Sequence, residues 1–414
     1  MATAGGPDII TDGLVFGYDA DDRSPRFYPG EPTTNLASGL TVGAQGGSLT
    51  STTPTPDGKY LTDNTGVGNN GLPMYHEVTA PNTGNNGGFQ SQTHFNIIGG
   101  STYLYISFKV YMTEVYSGTN RYLGGYAGFY NSSDVSTGNA GWTYTVDGVA
   151  DQSWSDNPAH LNKWIQVSGR ATIPANTAKV HRWYVYADWL LTGKMYVAQL
   201  QIEESNNPTQ YTSTSRSSTQ SLIDLKKTTT IDVSNVSFDS TAHPIFDGSN
   251  DYISIPVPQS DVLFSNVFTW EFVMKFNGNN GTHQGIVWSE ATGNLNYLLT
   301  LYNYNNFHIR IQNSATGWDN NDVNISFDPS KYNHIIFQFN NGVTKMYVNG
   351  ELIDTDSSRG SYTGPSTAAL YIGCRNDLAY DLNGNIPVIK HYNQALTALE
   401  VTQNFNAYKN RFNI

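Results

Sequence analysis

Two carboxylates on alternate residues of a strand, as in E-x-D-x-E, point into one cleft and can act as acid and nucleophile on a glycosidic bond. The chain holds two stretches that approach this pattern. "ELIDTDS" (351–357) has Glu351 and two aspartates, but at the wrong spacing and beside a hairpin turn, and "EESNNP" (203–208) lies in a border loop. No G-x-S-x-G, H-E-x-x-H, phosphate-binding loop or paired Cys/His ligand set occurs. The chain is therefore not expected to be an enzyme.

Binding chemistry has more candidates. Sugars are held by flat aromatic rings stacked on pyranose faces, with Asn, Asp, Arg or His reading the hydroxyls. In "STYLYISFKVYM" (101–112), alternation sends Tyr103, Tyr105 and Tyr111 to one face and Leu104, Ile106, Phe108, Val110 and Met112 to the other. Such a tyrosine face meets a sugar, or packs against a loop or a partner chain. Trp142 and Trp154 stand in Gly/Asp/Ser-rich loops, as exposed stacking platforms or as loop anchors. "YLLTLYNYNNFHIRIQN" (297–313) reads as a hairpin turning at Asn305-Asn306, so that Tyr302 pairs with Ile309 and Asn303 with His308. Tyr302, Tyr304, Phe307, Ile309 and Ile311 then face the core, while Asn303, His308 and Arg310 share the other face. Trp318 follows in a loop that reads as exposed.

Calcium in such chains is held by loop oxygens. "GWDNNDVN" (317–324) supplies Asp319 and Asp322, and "NDLAYDLNG" (376–384) supplies Asp377 and Asp381. Neither fits an EF-hand loop, and Asn/Asp-rich turns arise for conformational reasons alone. No cofactor is expected beyond these Ca2+ candidates.

Composition narrows the partners. Across 414 residues, 22 Lys+Arg against 34 Asp+Glu give a net charge of −12, which opposes a polyphosphate, so nucleic acid is not expected. The single cysteine, Cys374, precludes an intrachain disulfide and reads as a small buried hydrophobe. The opening "MATAGGPDII" lacks a basic and an apolar region, so no ordinary signal peptide is expected. No apolar run approaches the length of a membrane span.

The elements that must position these side chains are short strands and turns. "KWIQVSGRATI", "VHRWYVYADWLL", "MYVAQLQIE" and "FTWEFVMKF" alternate, with Gly/Asn/Ser loops between them. Asn349-Gly350 in "KMYVNGELID" predicts a two-residue hairpin that pairs Val348 with Glu351 and Lys345 with Asp354. One helix is expected, at "LTALEVTQNFNAYKNRF", with Thr397 and Glu400 as a capping box and Val401, Phe405 and Tyr408 on one face. It is expected to close an edge of the second sandwich. No heptad, collagen-like or other repeat of a fibre shaft is present.

"PIFDGSNDYISIP" (244–256), "TKMYVNGELID" (344–354), "LYIGCRND" (370–377) and "YNQALTALEVTQNFNAYKNRF" (392–412) together resemble the concanavalin A-like (laminin G-like) lectin domains of tailed-phage virion proteins. Members open with a segment similar to "GLVFGYDADDRSPRFYPG" (13–30), followed directly by a stretch like "SLIDLKK" (221–227), whereas here nearly 190 residues lie between. The block between begins at "TTNL" (33–36) and ends in "MYVAQLQIEESNNPTQYTSTSRSST" (195–219), resembling carbohydrate-binding-module-like jelly rolls of phage structural proteins. Its "AQLQIEES" strand lacks the aspartate that supplies a metal ligand in many such modules. The expected fold is therefore all-β: two β-sandwich (jelly-roll) domains, one inserted into the other, with a short C-terminal helix. The expected division is 1–30 with 216–414 as the lectin-like sandwich, and 31–215 as the inserted jelly roll. Residues 13–18 are then the detached first strand of the C-terminal sandwich.

The resemblance implies a structural protein on the virion surface, made without a signal peptide, with a non-catalytic role in carbohydrate binding and adhesion. It implies other virion proteins, cell-surface or environmental glycans and further copies of the chain as partners, and no membrane. Two other readings stand beside it: a decoration protein that binds only neighbouring subunits, and a secreted bacterial polysaccharide-binding protein.

Overall fold

A computed structural model describes residues 8–21, 31–37, 43–44, 48–52, 75–79, 88–91, 94–97, 101–113, 124–186, 194–205, 207–212, 215–239, 241–255, 265–278, 283–291, 294–302, 306–313, 317–324, 328–363, 369–375 and 377–414. Among them the fold is all-β apart from one C-terminal α-helix and short 3-10 turns. Chain contacts divide the molecule into two compact units, Met1–Glu31 with Ser217–Ile414, and Pro32–Arg216.

In the discontinuous unit, one sheet runs in the order Ser237–Phe238, Pro244–Asp247, Asn383–Tyr392, Val267–Phe276, Asn333–Asn340, Val343–Val348, Glu351–Asp356. The strand Leu14–Asp19 joins it by pairing antiparallel with Asn383–Tyr392, Tyr18 opposite Ile389. The second sheet runs Asp232–Ser234, Tyr252–Ile255, Leu370–Ile372, His283–Ala291, Asn294–Tyr302, Asn306–Asn313, Gly317–Asn324. A single core fills the space between, including Phe16, Trp270, Phe272, Val287, Ile309, Phe337 and Ile372.

The segment 221–227 is tied to the first strand. Gly17 donates its N–H to Asp224 Oδ1 (3.2 Å) and accepts from Leu225 N (2.8 Å). Asp224 also accepts from the N–H groups of Lys226, Thr228 and Thr229, a carboxylate turn that fixes the chain's re-entry into this unit.

The helix Ala398–Phe412 starts at a capping box in which Thr397 and Glu400 satisfy each other's N–H groups. It lies on the outer face of the first sheet rather than at an edge, burying Val401, Asn404, Tyr408 and Phe412 against Val273, Ile336 and Val388. The reason is the polar layer beneath it. Glu271, fully buried, accepts from Tyr392 OH (2.8 Å) and Asn404 Nδ2 (3.1 Å) and pairs with His334 Nε2 at 2.7 Å. Burial pushes its carboxyl up, but the His334 hydrogen bond, the Lys390 charge and the Tyr392 hydroxyl outweigh this and hold it below the ordinary value.

Asn349 and Gly350, at φ 50° and 83°, form the mirror-image turn their types favour, with Val348 opposite Glu351. The pairing of Lys345 with Asp354 does not follow. A bulge at Ile353 sets Met346 opposite Asp354 and Lys345 opposite Thr355.

The unit Pro32–Arg216 is a sandwich of two sheets. One runs Ser136–Gly141, Tyr126–Tyr130, Lys179–Tyr186, Gly88–Ser91, Gly43–Ala44; the other runs Val149–Ala150, Thr143–Val146, Trp164–Thr172, Tyr103–Met112, Lys194–Glu204, Tyr75–Thr79, Ser48–Thr52. Leu104, Phe108, Phe129, Trp154, Trp183 and Ile202 lie in its core. Its two ends are paired, Thr33 opposite Arg216 and Thr34 opposite Ser215. Asn35 makes the junction, donating to Leu200 O (3.1 Å) and Thr212 O (2.9 Å) and accepting from Ile202 N (3.1 Å).

Candidate binding face

The second sheet of the discontinuous unit turns one face to the core and presents the other away from it. Register aligns one row across four neighbouring strands of that other face: Asp232, Ser254, Tyr371 and Trp288. These residues lie opposite in phase to Val287, Leu299, Ile309 and Ile372, which are buried in the core.

Trp288 is the base of the site. It is 6% exposed, with half-buried Tyr371 and Tyr380 packed against it. Tyr252 lies 6.1 Å from Tyr371, ring centre to ring centre, and His283 lies 5.5 Å from Tyr380. Arg375 places its guanidinium carbon 4.7 Å from the Tyr380 ring centre and 5.6 Å from that of Trp288. Asp377 accepts two hydrogen bonds from the same guanidinium, which fixes its plane.

The loop 373–382 holds this arrangement. Arg375 N donates to Ala379 O, and Leu382 N donates to Gly373 O, at 2.7 and 2.8 Å. Gly285 N donates to Tyr380 O at 2.7 Å, and a Cβ on Gly285 would come within 2.9 Å of the Cys374 backbone, so only glycine admits the loop this close. Cys374 is itself buried, and that burial, with the charges of Asp381 and Asp377, pushes its thiol up to about 12, leaving it unreactive. Asp251 lies beneath the same loop. Burial, with Asp247 and Asp381 nearby, raises its carboxyl to about 6 although it accepts a 2.8 Å hydrogen bond from Asp247 N.

A half-buried tyrosine face beside an immobilised guanidinium can stack on a pyranose ring and donate hydrogen bonds to its hydroxyls. Tyr252, Trp288, Tyr371, Arg375 and Tyr380 were not singled out in the sequence, because they come from three segments far apart in the chain. The available signal was Tyr371 and Arg375 together in "LYIGCRND" and Trp288 in an alternating strand.

The residues that the sequence does single out are dispersed. Tyr103, Tyr105 and Tyr111 share one face of the strand Tyr103–Met112, but Tyr105 is buried, opposite Glu203 and Arg170. Tyr103 stacks on Arg170 at 4.6 Å, and Tyr111 sits 5.7 Å from Trp164 and 6.3 Å from Tyr196. Part of this face is thus covered by the strap after Glu203, whose Thr209 and Thr212 N–H groups bond Glu203 Oε1 and Gln201 Oε1.

Trp142 and Trp154 are not exposed platforms. Trp142 is 3% exposed and donates Nε1 to Tyr184 O at 2.8 Å, and Trp154 is 1% exposed against Phe108. Each anchors polar loop chain by burying a large apolar ring.

The hairpin at 297–313 closes differently from the expectation. Tyr302 lies opposite Asn306 and Thr300 opposite His308, because three residues, 303–305, separate the paired positions instead of two. Asn303 lies outside the described residues. His308 and Arg310 occupy positions opposite Asp322 and Asn320. Trp318, Asp319 and Asp322 belong to a strand, Gly317–Asn324, not to a loop; its Val323 enters the core, and one such apolar position suffices for an edge strand. Asp377 is engaged by Arg375, and Asp381 Oδ1 accepts from Asn250 N at 3.1 Å. Among the described residues, no three His, Cys, Asp or Glu side chains are brought together as a metal site.

Residues 247–402 match the family model of the concanavalin A-like lectin/glucanases superfamily, and this stretch is a jelly roll of that kind. No curated protein matches the chain. Among solved structures it is similar to the botulinum neurotoxin serotype D binding domain, at 15% identity and a TM-score of 0.37, covering 45% of this chain and 49% of that one. It is also similar to botulinum neurotoxin type C, whose cell entry is dependent upon interaction with two ganglioside molecules, at 18% identity and a TM-score of 0.38 over 45% and 49%. The binding domain of Paraclostridial Mosquitocidal Protein 1 matches at 18% identity and a TM-score of 0.37, over 46% and 50%. The matches span about half the length of each of these structures.

Proposed function

We propose that the protein is a non-catalytic carbohydrate-binding adhesion protein carried on the surface of a tailed-phage particle, at a fibre tip, a tail fibre or the capsid. The observation that carries the binding part is the face of Tyr371, Tyr252 and Tyr380 around Trp288, with Arg375 held over the rings. A lectin-type family match over 247–402 supports it. The non-catalytic reading is supported by the absence from the sequence of the E-x-D-x-E or E-x-D-x-x-E motif of the laminarinase-like hydrolases. The phage surface is supported by the resemblance of the closing "VTQNFNAYKNRF" and the opening "GLVFGYDADDRSPRFYPG" to virion lectin domains. The partners on this reading are glycans, other virion proteins and further copies of the chain.

The test uses the full chain on a glycan array, beside Tyr371→Ala and Arg375→Ala, whose side chains are partly exposed. Binding above background that both variants lose is expected; no binding by the unaltered chain overturns the adhesion reading. Gold-labelled antibody against the protein should decorate purified phage particles, and unlabelled particles overturn the location.

A second reading, contact with neighbouring subunits only, is favoured by Leu352 and Ile353, which stand 52% and 39% exposed on the terminal strand Glu351–Asp356. Leu352→Lys with Ile353→Lys should dissociate assemblies built through that edge, measured by light scattering.

A further inference from the structure

A different face, in the unit Pro32–Arg216, has its own chemistry. The strand Lys179–Tyr186 pairs with Tyr126–Tyr130, and its register slips between Val180, opposite Phe129, and Arg182, opposite Gly128. His181 is therefore an extra residue. Val180 and Trp183 are both fully buried in the core, so the bulge sends two consecutive side chains, His181 and Arg182, to the outer face where regular alternation allows one.

The residues around them are aromatic. The His181 ring lies 3.4 Å from that of His94, nearly parallel, and 4.3 Å from that of Tyr130. Arg182 sits 5.9 Å from the ring centre of Tyr126, which in turn packs 5.0 Å from Tyr184. Opposite Arg182, Gly128 contributes no side chain, and a Cβ there would come within 3.3 Å of Arg182 Cγ, so the guanidinium stem lies across a notch. Arg182 Nε, shielded from solvent, makes no hydrogen bond among the described residues. Lys179 extends the cluster, and the carboxylate that contacts it, Asp134, is held by Lys179 Nζ at 2.6 Å.

Arg182 brings positive charge to this face of a chain with net charge −12, beside a Lys179 already paired with Asp134. Burial and the neighbouring His94 lower the His181 pKa and leave its ring a neutral hydrogen-bonding group. The guanidinium is the group that selects an anion. The ring faces select a flat, partly apolar partner rather than a bare ion. We propose that this outer face, across Tyr126, Tyr130, His181 and Arg182, binds a carboxylated saccharide such as a uronic-acid polymer. Arg182 supplies hydrogen bonds and charge to the carboxylate, His94 and His181 flank it, and the tyrosines pack on the sugar ring. This site lies in the other unit from the Trp288 face and is distinguished by the carboxylate that it requires of its saccharide.

Affinity electrophoresis of the full chain tests it, with polygalacturonate, neutral dextran or poly-glutamate in the gel. Retardation by polygalacturonate alone is expected, weakening at least about tenfold in dissociation constant for Arg182→Ala, the loss expected for a charged hydrogen bond. His94→Ala, at an exposed position outside the strands, should weaken it several-fold without altering the melting curve, which keeps the test valid if Arg182→Ala misfolds. Trp288→Phe should leave it unchanged, which separates this site from the glycan face proposed above. No retardation by polygalacturonate, equal retardation by poly-glutamate, or full binding by folded Arg182→Ala and His94→Ala each overturn the proposal.

Discussion

Asp19 and Arg411 meet through two parallel hydrogen bonds of 2.7 and 3.0 Å, although 392 positions separate them in the chain. Asp19 ends the first strand and is 5% exposed; Arg411 lies in the last turn of the C-terminal helix, where a cation also suits the helix dipole. Arg411 Nε reaches Asp21 Oδ2 at 2.8 Å as well. Burial alone would lower the guanidinium's pKa, but the hydrogen bonds and charges of Asp19 and Asp21 outweigh it and raise it further. Removing the cation strands a buried carboxylate. Arg411→Met is expected to cost about 3–5 kcal/mol in urea unfolding. Arg411→Lys should recover only part, because a single ammonium cannot fork to both oxygens.

The same linkage predicts what the chain can lose. Thr33 and Arg216 are paired neighbours, so replacing 32–216 by a short Gly/Ser linker is expected to leave a cooperatively folded remainder. Deleting residues 1–20 should instead destabilise that remainder, because Leu14–Asp19 gives up its ladder with Asn383–Tyr392 and Phe16 and Tyr18 leave the core. Calorimetry of the two deletions decides the matter. An unchanged transition after the N-terminal deletion would falsify the dependence.

Two buried groups give opposite pH slopes. His391 stands in a core row between Phe16 and Trp270, with neither ring nitrogen hydrogen-bonded among the described residues. Burial lowers its pKa from 6.5 to about 3, so the unfolded chain takes the proton first and stability falls as pH drops through that window. Asp251, raised from 3.8 to about 6, is the reverse. The folded state holds its proton longer, and stability is lost as pH rises from about 4 to 6. His391→Leu should flatten the acid side of the stability profile. Asp251→Asn should add about 1–2 kcal/mol above pH 6 and nothing below pH 4. Denaturant midpoints at intervals between pH 3 and 8 measure both.

What could be read from the sequence is what repeats locally. Alternation in "FTWEFVMKF" and "STYLYISFKVYM", the Asn349-Gly350 turn and the Thr397–Glu400 cap each depend on a few consecutive residues, and each forms in the structure. Single inserted residues were not legible. The bulge at Ile353 moves Lys345 away from Asp354, and the bulge at His181 doubles the outward side chains of its strand. The Trp288 face was not legible for another reason: Tyr252, Trp288 and Tyr371 meet only when three strands distant in sequence are placed side by side. Polar surroundings left Trp142 and Trp154 open between exposed platform and loop anchor, because a core ring can anchor a loop of any composition; both are anchors.

The last prediction concerns the strap that leaves the strand Lys194–Glu204. Glu203, fully buried, accepts from Thr209 N at 2.8 Å and from Thr209 Oγ1 at 2.6 Å, while Gln201 accepts from Thr212 N at 2.7 Å and donates to Thr209 Oγ1 at 3.0 Å. Arg216 Nη1 reaches the same hydroxyl at 3.0 Å. Two side chains thus satisfy a non-repetitive backbone that no sheet ladder serves, which explains why Gln and Glu recur on alternate positions in "AQLQIEES". Glu203→Leu takes both carboxylate acceptors from the half-buried Thr209 N–H and hydroxyl and should cost about 2–3 kcal/mol. Glu203→Gln keeps one acceptor and should cost about 1–2 kcal/mol. Because the strap is local, it should become sensitive to protease between 205 and 212 before the unit melts, with the order Leu variant, Gln variant, unaltered chain. Equal cleavage rates in all three would show that the strap is held by its ends alone.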